Sequence, residues 1–241
     1  MKQTEVNYDA DRKAATYVAD DLLMTDFPMF NMPFMTRITS RYRFSHYLFD
    51  ELVELHKAQL VGSGLNLVMS TPNMPLYLAA KPSVSDKYKF TVESWVFQIR
   101  RTHDSIVQYT SLALKEKLPP DGSFKIETAG VADLVKNGAD STSVFTALLG
   151  SDEIKFRKIF EFLNIINDVF NAMKHHWVYE EVNTYRKEMP NVYVYYTRHN
   201  DLEKNGICVH NHNAFHLMMG FQDTVRLFLS NLKIEYESKK L

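Results

Sequence analysis

Apolar residues recur at helical spacing over four long stretches of the chain, with one alternating stretch between the last two. Phe44, Leu48, Leu52 and Leu55 fall on one stripe, which predicts a helix from Thr39 or Ser40 to about 61. Gly62 and Gly64 close it. Tyr88, Val92, Trp95, Ile99, Ile106 and Ala113 mark a second helix, from Ser83 or Ser85 to about 117, and the run Pro119-Pro120-Asp121-Gly122 forces a turn after it. Phe156, Ile159, Phe160, Leu163, Ile166, Phe170 and Met173 cover well over half the circumference of a third helix over 152–176. Ser151 and Asp152 supply its cap, and Glu153 suits its positive end. So wide an apolar surface predicts the middle of a bundle. Leu217, Phe221, Val225, Phe228 and Leu232 make the stripe of a last helix over 213–232.

Between the third and last helices the period changes to two. Val192, Val194 and Tyr196 alternate with Tyr193, Tyr195 and Thr197, a strand over 191–198. A turn at 201–206 and a return strand at 207–210 complete a hairpin. Segments 130–136, 143–149 and 178–188 read as short helices. Residues 65–82 are broken by three prolines. Residues 1–38 form an irregular N-terminal segment. A helix is possible over 9–23, but Pro28 and Pro33 interrupt the Met- and Phe-rich stretch 24–35, whose large side chains lie over the core. The sum is one domain over 1–241, mainly α: a helical bundle over 39–232 with a small β-hairpin inserted before the C-terminal helix, and a charged, frayed tail at 233–241.

Composition narrows the function classes. The chain has 241 residues, 45% apolar and 24% charged, ordinary for a globular protein. Its formal net charge of −1 gives no global basic excess, which leaves only a local patch for nucleic acid. The single cysteine, Cys208, excludes an intrachain disulfide framework and favours a reducing compartment. The first 21 residues are polar and charged, and no apolar run approaches the roughly 20 residues of a membrane helix. The expectation is a cytoplasmic protein without a membrane partner. With only 8 glycines there is no phosphate-cradling loop, nor is there a Gly-x-Ser-x-Gly elbow, and no cofactor is expected.

Three groups of residues can carry chemistry. On the third helix Asn167, Asn171 and Lys174 form a ladder at spacings of four and three, and His175 lies one turn beyond Asn171. Asn167 and Lys174 project toward the apolar arc, where an unpaired polar group is costly. Lys brings charge, Asn orients by hydrogen bonds, and His exchanges a proton near neutral pH, a set suited to one anionic group. The bland alternative is a self-satisfied network, with Lys174 and His175 stabilising the helix C-terminus.

Arg100, Arg101 and His103 make a second, basic group, in which His103 falls on the apolar stripe. A core histidine bonded to a backbone carbonyl is its default. If the second and third helices pack together, His103 approaches Lys174 or His175. Arg41 and His46 stand five residues apart, about 140° around a helix axis, a chance pairing.

The third group is His210, His212 and His216, with His199 across the hairpin and Cys208 nearby. Its members are candidate ligands of one transition metal if His212 and His216 share a helix face. The alternatives are a helix-capping His212 and a solvent-facing His216.

The Asn171-x-x-Lys174-His175 helix ending, followed by an extended element and a last amphipathic helix, resembles HEPN-type helical domains over residues 85–232. These are nucleotide-binding domains frequent in toxin–antitoxin and phage-defence systems. Their ribonuclease motif combines an Arg, a polar residue and a His. Asn171 and His175 match the last two places, and Phe170 stands at the place of the Arg. The resemblance implies a protein that binds or cleaves RNA, or binds a nucleotide, without a metal. His175, Lys174 and Asn171 are then catalytic: His175 is the acid or base toward a ribose 2′-hydroxyl and Lys174 steadies the phosphate. Asn167, His103 and Arg100 contact the substrate. It further implies a homodimer and an antitoxin or defence partner. The competing expectations are a non-catalytic helical interaction module and a metal-binding protein using His210, His212 and His216.

Overall fold

A computed structural model describes residues 32–61, 83–113, 130–137, 147–150, 153–175, 177–178, 189–197 and 208–238. Its architecture is mainly α, with a small antiparallel sheet before the C-terminal helix. The helices are α1 (Met32–Val61), α2 (Val84–Ala113), α3 (Val131–Asn137), α4 (Glu153–His175) and α5 (Ala214–Ser238). The strands are β1 (Trp177–Val178), β2 (Asn191–Thr197) and β3 (Cys208–Asn213).

α1 starts seven residues before the expected 39. Pro33 sits in its first turn, where a missing N–H breaks no helical bond. Residues 32–38 therefore belong to the helical core, and Met35 and Ile38 are buried in it. The expected apolar stripe is also displaced. A row of residues four apart drifts about 40° per step around a helix. Leu48 and Leu52 face inward, whereas Phe44 has turned 45% into solvent. Tyr42, Phe49 and Val53 complete the buried side.

α2 opens with a reciprocal cap. The Ser83 hydroxyl accepts from the Asp86 amide at 3.0 Å, and the Asp86 carboxylate accepts from the Ser83 amide at 2.9 Å. This helix packs against α1, α3, α4 and α5, and α4 in turn packs against α2, α3, α5, β1 and β2, so the middle place expected of α4 is one it shares with α2. The polar residues of α2 survive there because the hydroxyls bond back to carbonyls four residues earlier. Thr102 does so to Gln98, Ser105 to Arg101, Thr110 to Ile106 and Ser111 to Val107. Polar letters thereby concealed a helix buried on most sides.

The sheet order is β1-β2-β3, all antiparallel. Val192, Val194 and Tyr196 form its buried face, as the alternation predicts. β3 continues to Asn213, three residues past the expected end, and pairs Asn213 with Asn191. β1 adds a short third strand where Val178 was expected to open a helix; residues 179–188 lie outside the described residues. The Tyr88 hydroxyl donates to the Asn191 carbonyl and accepts from its amide, both at 2.9 Å, which pins the hairpin to α2.

Asn213 caps α5, its side-chain oxygen accepting from the amides of Phe215 at 2.8 Å and His216 at 3.3 Å. α5 runs to Ser238 and takes in most of the expected tail. It lies so close to α4 that a Cβ on Gly220 would sit 2.5 Å from the Phe162 ring. Ala is the better helix former by roughly 1 kcal/mol. Gly220→Ala is nevertheless expected to destabilise by about 1–3 kcal/mol, because the ring has to leave its packed position. Chemical denaturation gives the sign, and a stabilised variant would contradict this packing. Among the described residues no helix is long and apolar enough to cross a membrane.

Candidate functional sites

α2 and α4 run antiparallel, with Phe97 against Phe170 (ring centroids 4.7 Å) and Arg100 against Asn167. The Arg100 guanidinium donates to the Asn167 side-chain oxygen at 3.3 Å and lies 5.4 Å above the Phe170 ring. It also forms an ion pair with Asp104, one turn on along α2. The same Asp104 oxygen accepts from the Val131 amide at 2.9 Å, tying α3 to α2. Gly130 is required here, since a Cβ would collide with that carboxylate. Arg100 is 5% exposed. Burial pushes its pKa down to about 10, against the raising influence of Asp133. Arg100 and Asn167 thus meet, as members of a buried junction of three helices.

The expected ladder divides at this point. Asn167 is turned inward to Arg100, Asn171 is half-buried, and Lys174 is exposed with its ammonium 5.8 Å from the Phe170 ring. The His175 side chain lies outside the described residues. His103 is fully buried among the rings of Phe162, Phe221 and Phe228. Its Nδ1–H donates to the Ile99 carbonyl at 2.9 Å, which fixes the tautomer, and Nε2 has no hydrogen-bond partner among the described residues. Burial pushes its pKa down to about 4. Phe162 precedes Lys174 by twelve positions, about 18 Å along the helix. His103 is therefore a core histidine remote from Lys174, and the expectation that it touches substrate beside Lys174 is corrected. Arg100 is corrected likewise, because its donors are closed inside the protein. Of the five expected site residues whose side chains are described, Arg100 and Asn167 meet, and His103 lies apart from Lys174.

Arg41 and His46 also diverge. The His46 ring packs against Tyr42, centroids 4.6 Å apart and tilted by 56°, and its pKa is pushed down to about 4, chiefly by burial. Arg41 reaches the other way and donates to the Gln98 side-chain oxygen at 3.3 Å.

The histidine group takes a different form from a metal site. His212 lies on β3 and His216 on the first turn of α5, so they are not four apart on one helix. His210 Nδ1 and His212 Nε2 lie 3.4 Å apart, and His210 stacks on Tyr196. Val194, not His199, is the register partner of His210. Burial, then the neighbouring His210, lowers the His212 pKa. Among the described residues no three His, Cys, Asp or Glu side chains gather where they would hold a metal ion. His212 and His216 do share the wall of an open cleft of about 840 Å³ between α4 and the β3–α5 junction.

A further constellation escaped the sequence reading. Arg37 and Arg41 stand one turn apart on α1, and Arg101 of α2 lies one turn from Gln98, the residue Arg41 bonds. Arg41 is held below its ordinary pKa by burial and by the positive charges of Arg37 and Arg101. Among the described residues no ion pair engages any of these three. On the same outer face Phe44 and Tyr47 are 45% and 61% exposed and stack on each other, ring centroids 5.9 Å apart at 13°. Arg43 is exposed beside them. The signal was the run Arg41-Tyr42-Arg43-Phe44-Ser45-His46-Tyr47 with Arg37 a turn earlier; the near-zero net charge hid it. No family model, curated protein or solved structure matches this chain.

Proposed function

We propose that this protein binds single-stranded RNA along the outer face of α1 and α2. The observation that carries the reading is the cluster of Arg37, Arg41 and Arg101, which stand together with no ion-pair partner among the described residues. Like charges at such spacing repel, and neutralisation by phosphates removes that cost while releasing counterions. The stacked, exposed Phe44 and Tyr47 supply the second half of a single-strand platform, since every base has a face that stacks on an aromatic ring. The HEPN resemblance of the C-terminal helices supports RNA as the ligand class.

The reading is one of binding without cleavage. Phe170 occupies the place of the motif arginine, and the nearby Arg100 is buried and bonded to Asp104 and Asn167. Lys174, exposed at the end of α4, remains a subsidiary phosphate contact.

Fluorescence anisotropy with a short single-stranded RNA tests the reading. Arg37→Ala/Arg41→Ala/Arg101→Ala is expected to weaken binding about a hundredfold at low salt. Phe44→Ala/Tyr47→Ala should weaken it by about ten- to a hundredfold. Both variants change mainly exposed side chains and should keep the wild-type circular dichroism. Wild-type affinity in a folded triple variant would refute the site.

A further inference from the structure

His210 and His212 stand two apart on β3 and so share one face of the strand. Their register partners, Val194 and Val192, place that face on the buried side of the sheet. His210 Nδ1 lies 3.4 Å from His212 Nε2, and His210 Nε2 lies 3.3 Å from the Tyr196 hydroxyl. Both nitrogens of His210 are therefore engaged, in a chain that runs from the buried Tyr196 to His212 on the wall of the cleft. The Tyr196 and His210 rings stack within 9° of parallel, which holds the middle of the chain in place.

The supply of hydrogens limits the charge this chain accepts. A phenol and two neutral imidazoles bring one donor each. Tyr196 donates to His210 Nε2, His210 Nδ1–H donates to His212 Nε2, and both contacts are filled. One added proton is also accommodated. Both nitrogens of His212 then carry hydrogen, Nε2–H donates to His210 Nδ1, and His210 Nε2–H donates to the Tyr196 oxygen as the hydroxyl hydrogen turns away. A second proton sets His210 Nδ1–H against His212 Nε2–H, two donors and two positive charges with no acceptor in the line between them. Among the described residues, the other titratable or charged groups around the pair are Cys208 on the same strand face, Lys158 and Glu161 of α4, and His216 of α5. The last three are exposed at the cleft rim, where Lys158 offsets Glu161 in charge, and none of the four is bonded to either histidine. Burial, then His210, already lowers the His212 pKa.

The repulsion falls on a joint. His212 immediately precedes Asn213, whose side-chain oxygen caps α5 through the amides of Phe215 and His216. Histidine rings that move apart carry the end of β3 with them, and the cap with it.

We infer that Tyr196, His210 and His212 form an acid-sensitive latch at the β3–α5 junction, closed while the histidine pair holds no more than one added proton and open once both rings are charged. Opening frees the first turn of α5 and reshapes the cleft wall that His212 and His216 share.

Histidine-ring NMR titration of the full chain, read together with amide hydrogen exchange, tests the latch. The wild-type pair should take up its second proton at least about one pH unit lower than the lone histidine of His210→Gln or His212→Gln takes up its only one. With that second step, amide protection at Phe215 and His216 should fall about tenfold. Protection at Ile106 and Val107 in the core of α2 should hold, which separates opening of the latch from global acid unfolding. In His210→Gln the start of α5 should stay protected through the same pH range. Wild-type histidines that titrate as they do in the single variants overturn the inference. So does a second step that leaves Phe215 and His216 protected, or a loss of their protection that His210→Gln shows equally. Should the variants fail to fold, the wild-type measurements decide alone. One proton taken up before the α5 amides open supports the latch, and two taken up with the cap intact overturn it.

Discussion

Asp104→Ala is expected to destabilise the protein by about 3 kcal/mol in urea denaturation, more than any single surface change. The carboxylate does two jobs at once: it neutralises the buried Arg100 and accepts from the Val131 amide at the start of α3. Removing one partner of a buried pair leaves an uncompensated charge, a loss of about 3–5 kcal/mol. Asp104 is itself 27% exposed on its side chain, which places the effect at the lower end. A contrast separates charge from packing. Adding Arg100→Met to Asp104→Ala removes the stranded charge, so the double variant should regain a substantial part of the loss, leaving the Asn167 side chain and the Val131 amide short of a partner. A loss below about 1 kcal/mol for Asp104→Ala would show that Arg100 finds water, and its removal from the substrate-binding set would have to be reconsidered.

Acidification is expected to cost on the order of 3 kcal/mol through His103 alone. Its folded-state pKa is depressed to about 4 from an ordinary 6.5, because the ring is fully buried, with Arg100 also opposing a second positive charge. Below pH 6.5 the unfolded chain takes up a proton that the folded core refuses until about pH 4. Stability is therefore intact above 6.5 and falls progressively as the pH drops to 4. A depression of this size corresponds to about 3 kcal/mol. His46, lowered to about 4 mainly by burial, adds to the slope in the same direction. His103→Leu keeps an apolar body among Phe162, Phe221 and Phe228 and cannot titrate. Its denaturation midpoint should change less between pH 6.5 and 4 than that of the wild type. Parallel pH profiles for the two proteins would mean that His103 is hydrated or protonated in the fold.

The helices were legible because their stripes are long. Tyr88, Val92, Trp95 and Ile99 on α2, and Leu217, Phe221, Val225 and Phe228 on α5, mark faces that are buried in the structure. The alternation of Val192, Val194 and Tyr196 located the hairpin for the same reason. Boundaries failed where a local signal was ambiguous. Pro33 reads as a breaker or as a first-turn residue, and the difference is decided by Met35 and Ile38 having a core to enter. The depth at which α2 is buried was not recognised, because Thr102, Ser105, Thr110 and Ser111 read as polar surface. Their bonds to their own helix are invisible in composition.

The candidate sites were less legible, since spacing on one helix does not reveal which neighbour captures a side chain. Asn167 and Lys174 sit on the same arc of α4, yet one is consumed by Arg100 and the other is solvated. The default of a carbonyl-bonded core residue for His103 described it better than the substrate-contact role. Phe44 misled in the opposite sense: counted as core, it is half of an exposed aromatic pair. Arg37, Arg41 and Arg101 become a cluster only when α1 and α2 pack antiparallel, a fact of tertiary structure.

RNA binding on the α1–α2 face is electrostatic, so the affinity should depend steeply on salt. With a short single-stranded RNA, the logarithm of the binding constant should fall linearly with the logarithm of salt concentration, about 0.7 per phosphate neutralised. The slope for Arg37→Ala/Arg41→Ala/Arg101→Ala should be shallower than the wild-type slope by about two, three lost contacts at 0.7 each. Equal slopes for the two proteins, or wild-type binding indifferent to salt, would contradict an RNA site on the α1–α2 face.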